Sequence, residues 1–464
     1  MELSNQKQIA IVGLGIVNLV TAYFLARKGY KLVLIDKTPA PADCKNWEKF
    51  GCTYGGENVR MYTYTEADNY NEKGSQLYSK MDEAFEQVID KDGWLVRDKV
   101  LLNEQEQAWI QDFHSVSYEQ ANLFAKDIYE VNINSGTIWQ QWMNEAPELF
   151  EDVDYVPDIL RIYSEAADFQ AAQKLHSSLG SLTNAMSLEE VLMKYPGFQR
   201  AYQTNMLGGC MMVKGFTLKV QNFCDKIIEF LKNDGAEFRW NTTFSGIERD
   251  SSGAVNGIYL DNKLEQFHSY VLSLGAYAGT TLNNTQTNNQ LHGILGVWLT
   301  IPNLYPELKH SMKIHKMGHV GEDTNVTLIN QNGQAVLVLG SGYGYTGNAT
   351  NNQIQLGELE GIFDSLKHTA KTYFPEAFEA AESYIDQTKK YCIRAWTPTS
   401  LGIFEVIPSQ GGGRLIITGG NNTGGFTQSP YIADAVLDTL NNKTHPLQSI
   451  FDPQRLKEKY NKAT

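Results

Sequence analysis

The chain has 464 residues, with 53 acidic side chains against 39 basic ones and a formal net charge of −14. That length exceeds what one hydrophobic core usually organises, so two packed domains are expected. With no Lys/Arg cluster to break the acidic balance, a phosphate-backbone footprint for nucleic acid or an anionic membrane is disfavoured, and a small-molecule ligand is expected.

The first stretch, MELSNQKQIAIVGLG, lacks the charged, apolar and small-residue order of a secretory signal. No apolar run approaches the ~20 residues of a bilayer span. The expectation is a soluble, cytoplasmic protein. Five cysteines (Cys44, Cys52, Cys210, Cys224 and Cys392) are scattered without CxxC spacing, which predicts neither a disulfide framework nor a zinc site. His310, His315 and His319 have no accompanying carboxylate helix of metalloprotease type, so they are expected on the surface and no metal is expected.

QIAIVG reads as a strand buried on both faces. From Ile16 to Lys28, Leu19, Val20, Tyr23, Phe24 and Ala26 recur at helical spacing; Gly29 ends the helix, and YKLVLID is a second buried strand. In such a βαβ unit Gly13 permits the tight turn, and Gly15 lets the backbone approach a pyrophosphate at the helix N–H groups. Asp36 closes the second strand about twenty residues after the glycines, where a carboxylate can accept hydrogen bonds from ribose hydroxyls. Asn18 stands where the third glycine is usual. It implies either a wider gap between helix and strand or a side chain facing the phosphate. The bland alternative is an ordinary α/β crossover.

Residues 37–70 form a Pro-, Gly- and aromatic-rich connection, too long for a simple loop and therefore expected to bind something. A mostly helical pattern covers about 72–142. Residues 155–205 mix the short strand ILRIYS with helices, one of which starts at Ser187, Glu189 and Glu190. A helix is expected over 218–233, then a strand, a turn and a hairpin leading to the buried strand SYVLSLGAYA, which ends at Gly275. Residues 291–345 are strand-like, a helix covers about 356–375, and LIITGGNNTGGFTQSPYIADAVLDTL gives strand, glycine loop and helix. The loop TGGNNTGG aims backbone N–H groups at an anionic or electron-rich acceptor, unless it is only a flexible surface loop. LVLGSGYGYTGNAT also follows a strand, but no helical period follows it, so a hairpin is expected rather than a second phosphate site.

Four stretches in this order resemble the D-amino-acid oxidase family of flavoproteins, which includes glycine oxidase, sarcosine oxidase and D-amino-acid dehydrogenase. They are the βαβ unit with Asp36; KIIEFLKNDGAEFRWNTTFSGIERDSSGAVNGI; VLSLGAYA; and CIRAWTPTSLGIFEV with LIITGGNNTGGFTQSP. The resemblance implies a mixed α/β and α+β fold, in which a Rossmann-like FAD-binding domain of glutathione-reductase-2 type is interleaved with a mixed β-sheet substrate domain. It divides the chain into 1–75, 206–285 and 390–464 for FAD and 76–205 and 286–389 for substrate. The cofactor implied is FAD, held by Gly13, Gly15, Ile16, Val17, Asp36, Lys37, Gly55, Gly56, Phe244, Gly275, Cys392, Gly420, Gly424, Gly425 and Phe426.

By the same resemblance Arg394 sits where the family pairs an arginine with a substrate carboxylate, a task that suits the rigid guanidinium fork; a structural ion pair is the alternative. Arg60 is a second anion-binding candidate, or a solvated loop arginine. Trp396, Tyr343 and Tyr345 are candidate pocket walls or ordinary core. Cys392 stands five residues before Thr397, the spacing at which sarcosine oxidases attach FAD through sulfur; a buried free thiol is the commoner fate. The lysine that activates oxygen in sarcosine oxidases has no counterpart in LVLGSGYGY, which leaves oxygen or another electron acceptor open. Thr399 replaces the aspartate of the family's TPD motif.

The expected function is oxidation of the C–N bond of an amino acid or secondary amine, with hydride transfer to flavin N5 to give an imine. Oxidation of a hydroxy acid or an atypical biosynthetic carboxylate, or a noncatalytic flavin-binding module, are the alternatives.

Overall fold

The structure is a computed structural model and describes residues 8–57, 59–67, 84–316, 323–348 and 353–456. His319 and the start of the expected helical region at 72 lie outside these residues. In chain order the strands are β1 (Gln8–Val12), β2 (Lys31–Ile35), β3 (Val59–Thr63), β4 (Val156–Tyr163), β5 (Leu182–Met186), β6 (Gly209–Lys219), β7 (Glu237–Arg239), β8 (Phe244–Arg249) and β9 (Val255–Leu260). They continue with β10 (Lys263–Glu265), β11 (Ser269–Leu272), β12 (His292–Pro302), β13 (Ser311–His315), β14 (Asp323–Gln331), β15 (Gln334–Gly347), β16 (Lys390–Trp396), β17 (Ile403–Pro408) and β18 (Arg414–Gly419). No described helix is long and apolar enough to cross a membrane.

The opening unit folds as its pattern predicts. β1 pairs in parallel with β2 and with β11, β11 pairs in parallel with β18, and the six-stranded order is β17-β18-β11-β1-β2-β7. The helix Ile16–Ala26 lies against the helices Val220–Asn233 and Gly425–Leu440. Leu19, Val20 and Leu25 are completely buried there, each burial contributing about 1.5–3 kcal/mol. A three-stranded sheet, β10-β9-β8, sits beside this layer.

The second layer is a nine-stranded sheet in the order β16-β12-β15-β14-β13-β4-β6-β3, with β5 pairing on β6. Its membership differs from the expected division in three places: β3, β6 and β16 hydrogen-bond in this sheet rather than with the nucleotide-binding strands. Among the described residues of the region expected to be helical, 72–142, Asn103 caps one helix from Glu104 to Ser115 and Ser117 caps another from Tyr118 to Glu145, while Ile89–Lys91 and Lys99–Leu101 are single short turns. Ser187 caps the helix Leu188–Lys194, with Glu190 reaching back to complete the capping box. The stretch LVLGSGYGYTG is one strand, the second arm of an antiparallel hairpin with β14 across the turn at Asn332 and Gly333. Its glycines make room for neighbouring side chains, Gly340 for the Trp298 indole and Gly344 for Leu295.

Gly13 is fixed by two independent demands. Its φ is +87°, and a Cβ there would collide with the Ser273 carbonyl at the end of β11. Asn18, where a third glycine was expected, is buried and donates from Nδ2 to the Val12 carbonyl at 2.9 Å. Its side chain is thus folded onto the end of β1 and does not face a phosphate.

Behind β15 an aromatic layer packs at the end of the sheet formed by β16, β12 and β15. Trp94 stacks on Tyr343 at 4.8 Å, and Trp396 meets both edge-on. His292 stacks on Trp109 at 5.3 Å, with Nδ1 2.8 Å from the Tyr345 hydroxyl and Nε2 2.9 Å from Asn289 Oδ1. Burial pushes the His292 imidazole down to about 4, against the milder pull of Glu106.

Two outcomes are expected. Gly13→Ala lowers the urea midpoint by the equivalent of ~2 kcal/mol or more, since it adds backbone strain to a main-chain clash. Because the folded pKa of His292 lies below its unfolded value, its contribution is complete above about pH 6.5 and is lost as pH falls toward about 4, by up to ~3 kcal/mol. Urea unfolding at stepped pH then shows a shallower acid limb for His292→Gln than for the unmodified chain.

Candidate functional site

The carboxyl ends of β1, β2, β11 and β18 open onto one elongated cavity whose far wall is the nine-stranded sheet. On the six-stranded side it is lined by Gly13, Gly15, Ile16 and Val17, by Asp36 and Lys37, and by Phe244, Gly275, Gly420, Gly425 and Phe426. These residues were expected to bind cofactor, and one cavity gathers them. Asp36 Oδ2 accepts from the Leu14 amide at 2.5 Å and Oδ1 from the Thr38 amide at 2.8 Å, which points the carboxylate along the turn. The Lys37 ammonium stands 3.8 Å over the Tyr277 ring, and burial lowers its pKa despite the neighbouring Asp36.

Other expected cofactor residues serve the wall from behind. Gly55 and Gly56 are buried but off the cavity surface. A Cβ at Gly55 would meet the Phe50 and Gly51 carbonyls, and Gly56, at φ +69°, supports the Trp298 indole. Gly424 likewise lies beneath the surface, against Gln428 and Ala67.

The residues present fit an FAD. The helix Ile16–Ala26 begins at Gly15 with no side-chain cap, and the helix Gly425–Leu440 begins with no cap and no acidic residue in its first turn. Both helix starts border the cavity; the Ile16 amide is taken by the Thr53 hydroxyl, and the positive dipole ends of the two helices suit phosphate or electron-rich ring atoms. Asn422, in the same wall, has both amide side-chain atoms buried without a hydrogen-bond partner. Such a group is costly unless a bound molecule satisfies it. These residues would hold the cofactor: Gly13 and Gly15 at its diphosphate, Asp36 at a ribose, and Gly420 to Phe426 at the ring system.

Arg60 and Arg394 both reach the opposite wall. Arg394 Nη2 donates to the carbonyls of Leu295 at 2.9 Å and Gly342 at 2.7 Å, while its Nε is buried without a partner. The guanidinium is thus pinned by backbone carbonyls, with no carboxylate among its hydrogen-bond partners in the described residues. Arg60 donates to the Glu57 carbonyl at 2.7 Å and to the Cys52 carbonyl. Trp396 and Tyr343, expected to wall the pocket, lie behind it instead. Trp396 is wholly buried in the aromatic layer, and the Tyr343 ring supports Arg394 from 5.6 Å. Tyr345 belongs to the same buried layer.

Sequence reasoning missed several residues of this wall. Glu66 is 5% exposed and its Oε2 has no hydrogen-bond partner; Lys313 Nζ stands 3.9 Å away. Asn325 Oδ1 is also buried and unpartnered. Asn325 and Thr327, two apart on β14, share the cavity-facing side with Trp298 and Val338. The period-2 pattern of DTNVTLINQ puts Asn325 and Thr327 on one face and could have found that pair. Glu66 lay in the long connection already marked as binding, with nothing in its local pattern to single it out.

Below Glu66 the charges are paired. Lys313 lies 3.7 Å from Asp323, and His315 Nδ1 lies 2.7 Å from Asp323 Oδ1. Burial opposes ionisation of Asp323, but His315 and Lys313 outweigh it and hold the carboxyl well below its usual range. His315 is therefore a half-buried ion-pair member, contrary to the surface position expected for it. His310 is half-buried and makes a 2.9 Å contact with the Pro157 carbonyl.

Cys392 was the expected sulfur for a covalent cofactor link. It is fully buried behind the wall with its Sγ 3.0 Å from Cys52 Sγ, and it is Cys52 that lines the cavity. A link through Cys392 requires its sulfur to leave that contact.

Residues 8–439 match the family model described as FAD dependent oxidoreductase. The fold is similar to the crystal structure of L-proline dehydrogenase from P. horikoshii, at 14% identity and a TM-score of 0.64, covering 98% of this chain and 99% of that one. It is also similar to glycine oxidase from Geobacillus kaustophilus, at 14% identity and a TM-score of 0.60 over 95% and 96% of the two chains. Amadoriase I from Aspergillus fumigatus gives 14% identity and a TM-score of 0.61 over 99% and 92%. The turn at Gly13, the acid at Asp36 and the uncapped helix at Gly425 thus sit in a chain that belongs to the FAD-dependent oxidoreductase family, enzymes whose cofactor is FAD.

Proposed function

We propose that the enzyme oxidises the C–N bond of an amino acid or carboxylated secondary amine to an imine. The observation that carries this reading is the polarity of the wall facing the cofactor side. Two guanidiniums, Arg60 and Arg394, share it with two buried acceptors that lack hydrogen bonds, Glu66 Oε2 and Asn325 Oδ1. A ligand that satisfies both sets carries a carboxylate and an N–H donor.

The cofactor, when bound, supplies the hydride acceptor. Arg394 takes the substrate carboxylate; with Nη2 tied to two carbonyls and Tyr343 at its back, the fork is held in place before substrate arrives. Arg60 adds a second positive charge. Glu66 and Asn325 receive the amine N–H and orient the nitrogen lone pair. No side-chain base is needed if the amine arrives neutral, so catalysis is chiefly placement and electrostatics. Trp298 and Val338 present apolar surface that keeps water from the reacting carbon.

The test is anaerobic mixing of the holoenzyme with a panel of amino acids, secondary amines and matched hydroxy acids. Bleaching of the flavin band by amines and not by hydroxy acids is the expected result; bleaching by hydroxy acids alone contradicts it. Arg394→Ala retains FAD but loses about 30-fold or more in apparent affinity for carboxylated substrates, since removal of one partner from a desolvated ion pair costs about 2–5 kcal/mol. Unchanged kinetics in that variant would remove Arg394 from the role.

A further inference from the structure

Cys52 and Cys392 are 340 positions apart in the chain, yet their sulfurs lie 3.0 Å from one another. Cys52 belongs to the loop after β2 and lines the cavity; Cys392 lies on β16, two residues before Arg394, and is fully buried. We infer that Cys52 is a peroxide-reactive site and that Cys392 resolves it, so that a hydroperoxide in the cavity closes a Cys52–Cys392 disulfide.

The geometry assigns the two sulfurs different work. Cys52 is the one a small molecule in the cavity can reach. Its thiolate is favoured first by the hydrogen bond from Cys392, against burial, and then by the positive charges of Arg60 and Arg394, which together pull it down to about 6. Cys392 is held as the thiol, pushed up by burial and by the anionic sulfur beside it. A nucleophilic, accessible thiolate next to a protonated, shielded thiol is the arrangement that a two-step oxidation needs.

The chemistry balances without any further reagent. The Cys52 thiolate attacks one peroxide oxygen, the O–O bond breaks, that oxygen stays on sulfur as a sulfenic acid, and the other leaves as hydroxide. The Cys392 sulfur then displaces the sulfenic oxygen, which takes the Cys392 proton and departs as water. Two electrons pass from the sulfur pair to the peroxide. Hydrogen peroxide is the oxidant; any flavin reoxidation by oxygen would release it in this same cavity. The disulfide ties the loop Gly51–Tyr54 to the strand that carries Arg394 and removes negative charge from beside both guanidiniums.

The test treats reduced, purified holoenzyme with a few equivalents of hydrogen peroxide, quenches in acid, unfolds the chain and blocks thiols with N-ethylmaleimide. The five cysteines give five adducts before treatment. The expected result is three after it, with a cross-linked peptide joining Cys52 to Cys392. In Cys392→Ser the oxidation stops at Cys52, which dimedone then traps; in Cys52→Ser, Cys392 keeps its thiol. Five adducts after peroxide, a cross-link between other cysteines, or flavin attached to Cys392 in place of the disulfide would each overturn the inference.

Discussion

The approach of β1 to β11 at the cavity mouth constrains everything on the cofactor side. Because Gly13 has no Cβ, the chain leaving β1 can turn at φ +87° directly against the Ser273 carbonyl. That turn sets the start of the helix Ile16–Ala26 at the edge of the sheet. There the Ile16 amide is met by the Thr53 hydroxyl at 2.8 Å, and Ile16 and Val17 line the cavity. The parallel ladder then brings the ends of β2 and β18 to the same edge, and with them Asp36 and the uncapped helix at Gly425. The cavity edge proposed to seat the cofactor, drawn from residues 13 to 426, thus begins at this close main-chain approach.

The far wall follows from a different rule. A sheet face buried in a protein interior is ordinarily apolar, and each charge placed there must be matched. The nine-stranded sheet obeys that rule below the cavity, where Lys313, Asp323 and His315 neutralise one another. It breaks the rule at the cavity surface, where Arg394 Nε, Glu66 Oε2 and Asn325 Oδ1 are buried without hydrogen bonds. Polar atoms that the fold leaves unsatisfied on one concave surface describe the ligand that completes them. The sulfur pair lies at the seam between the two layers, where the loop after β2 crosses β16.

What the sequence disclosed follows from which signals are local. The βαβ unit, its turn glycine and Asp36 are written in consecutive residues with a clear period, and they fold as read. Asn18 was legible as a departure but not in its consequence, because its bond to the Val12 carbonyl depends on how the helix lies on the strand. Sheet membership of β3, β6 and β16 was not legible, since pairing partners tens of residues or more away in the chain leave no mark in local pattern. The aromatic residues near Arg394 misled for a related reason: Trp396 and Tyr343 are as suitable for a core as for a pocket, and only packing against Trp94 decides. Glu66 and the proximity of Cys52 to Cys392 are purely tertiary facts.

The most direct measurement is a crystal structure of the holoenzyme soaked with a small amino acid under anaerobic conditions. The diphosphate should lie at the turn Gly13–Ile16 and the ring system beside Gly420 to Phe426, with the ligand carboxylate on Arg394 and its nitrogen within hydrogen-bond reach of Glu66 or Asn325. A ligand whose carboxylate touches neither guanidinium, or a cofactor seated away from that turn, would contradict the arrangement derived for this cavity.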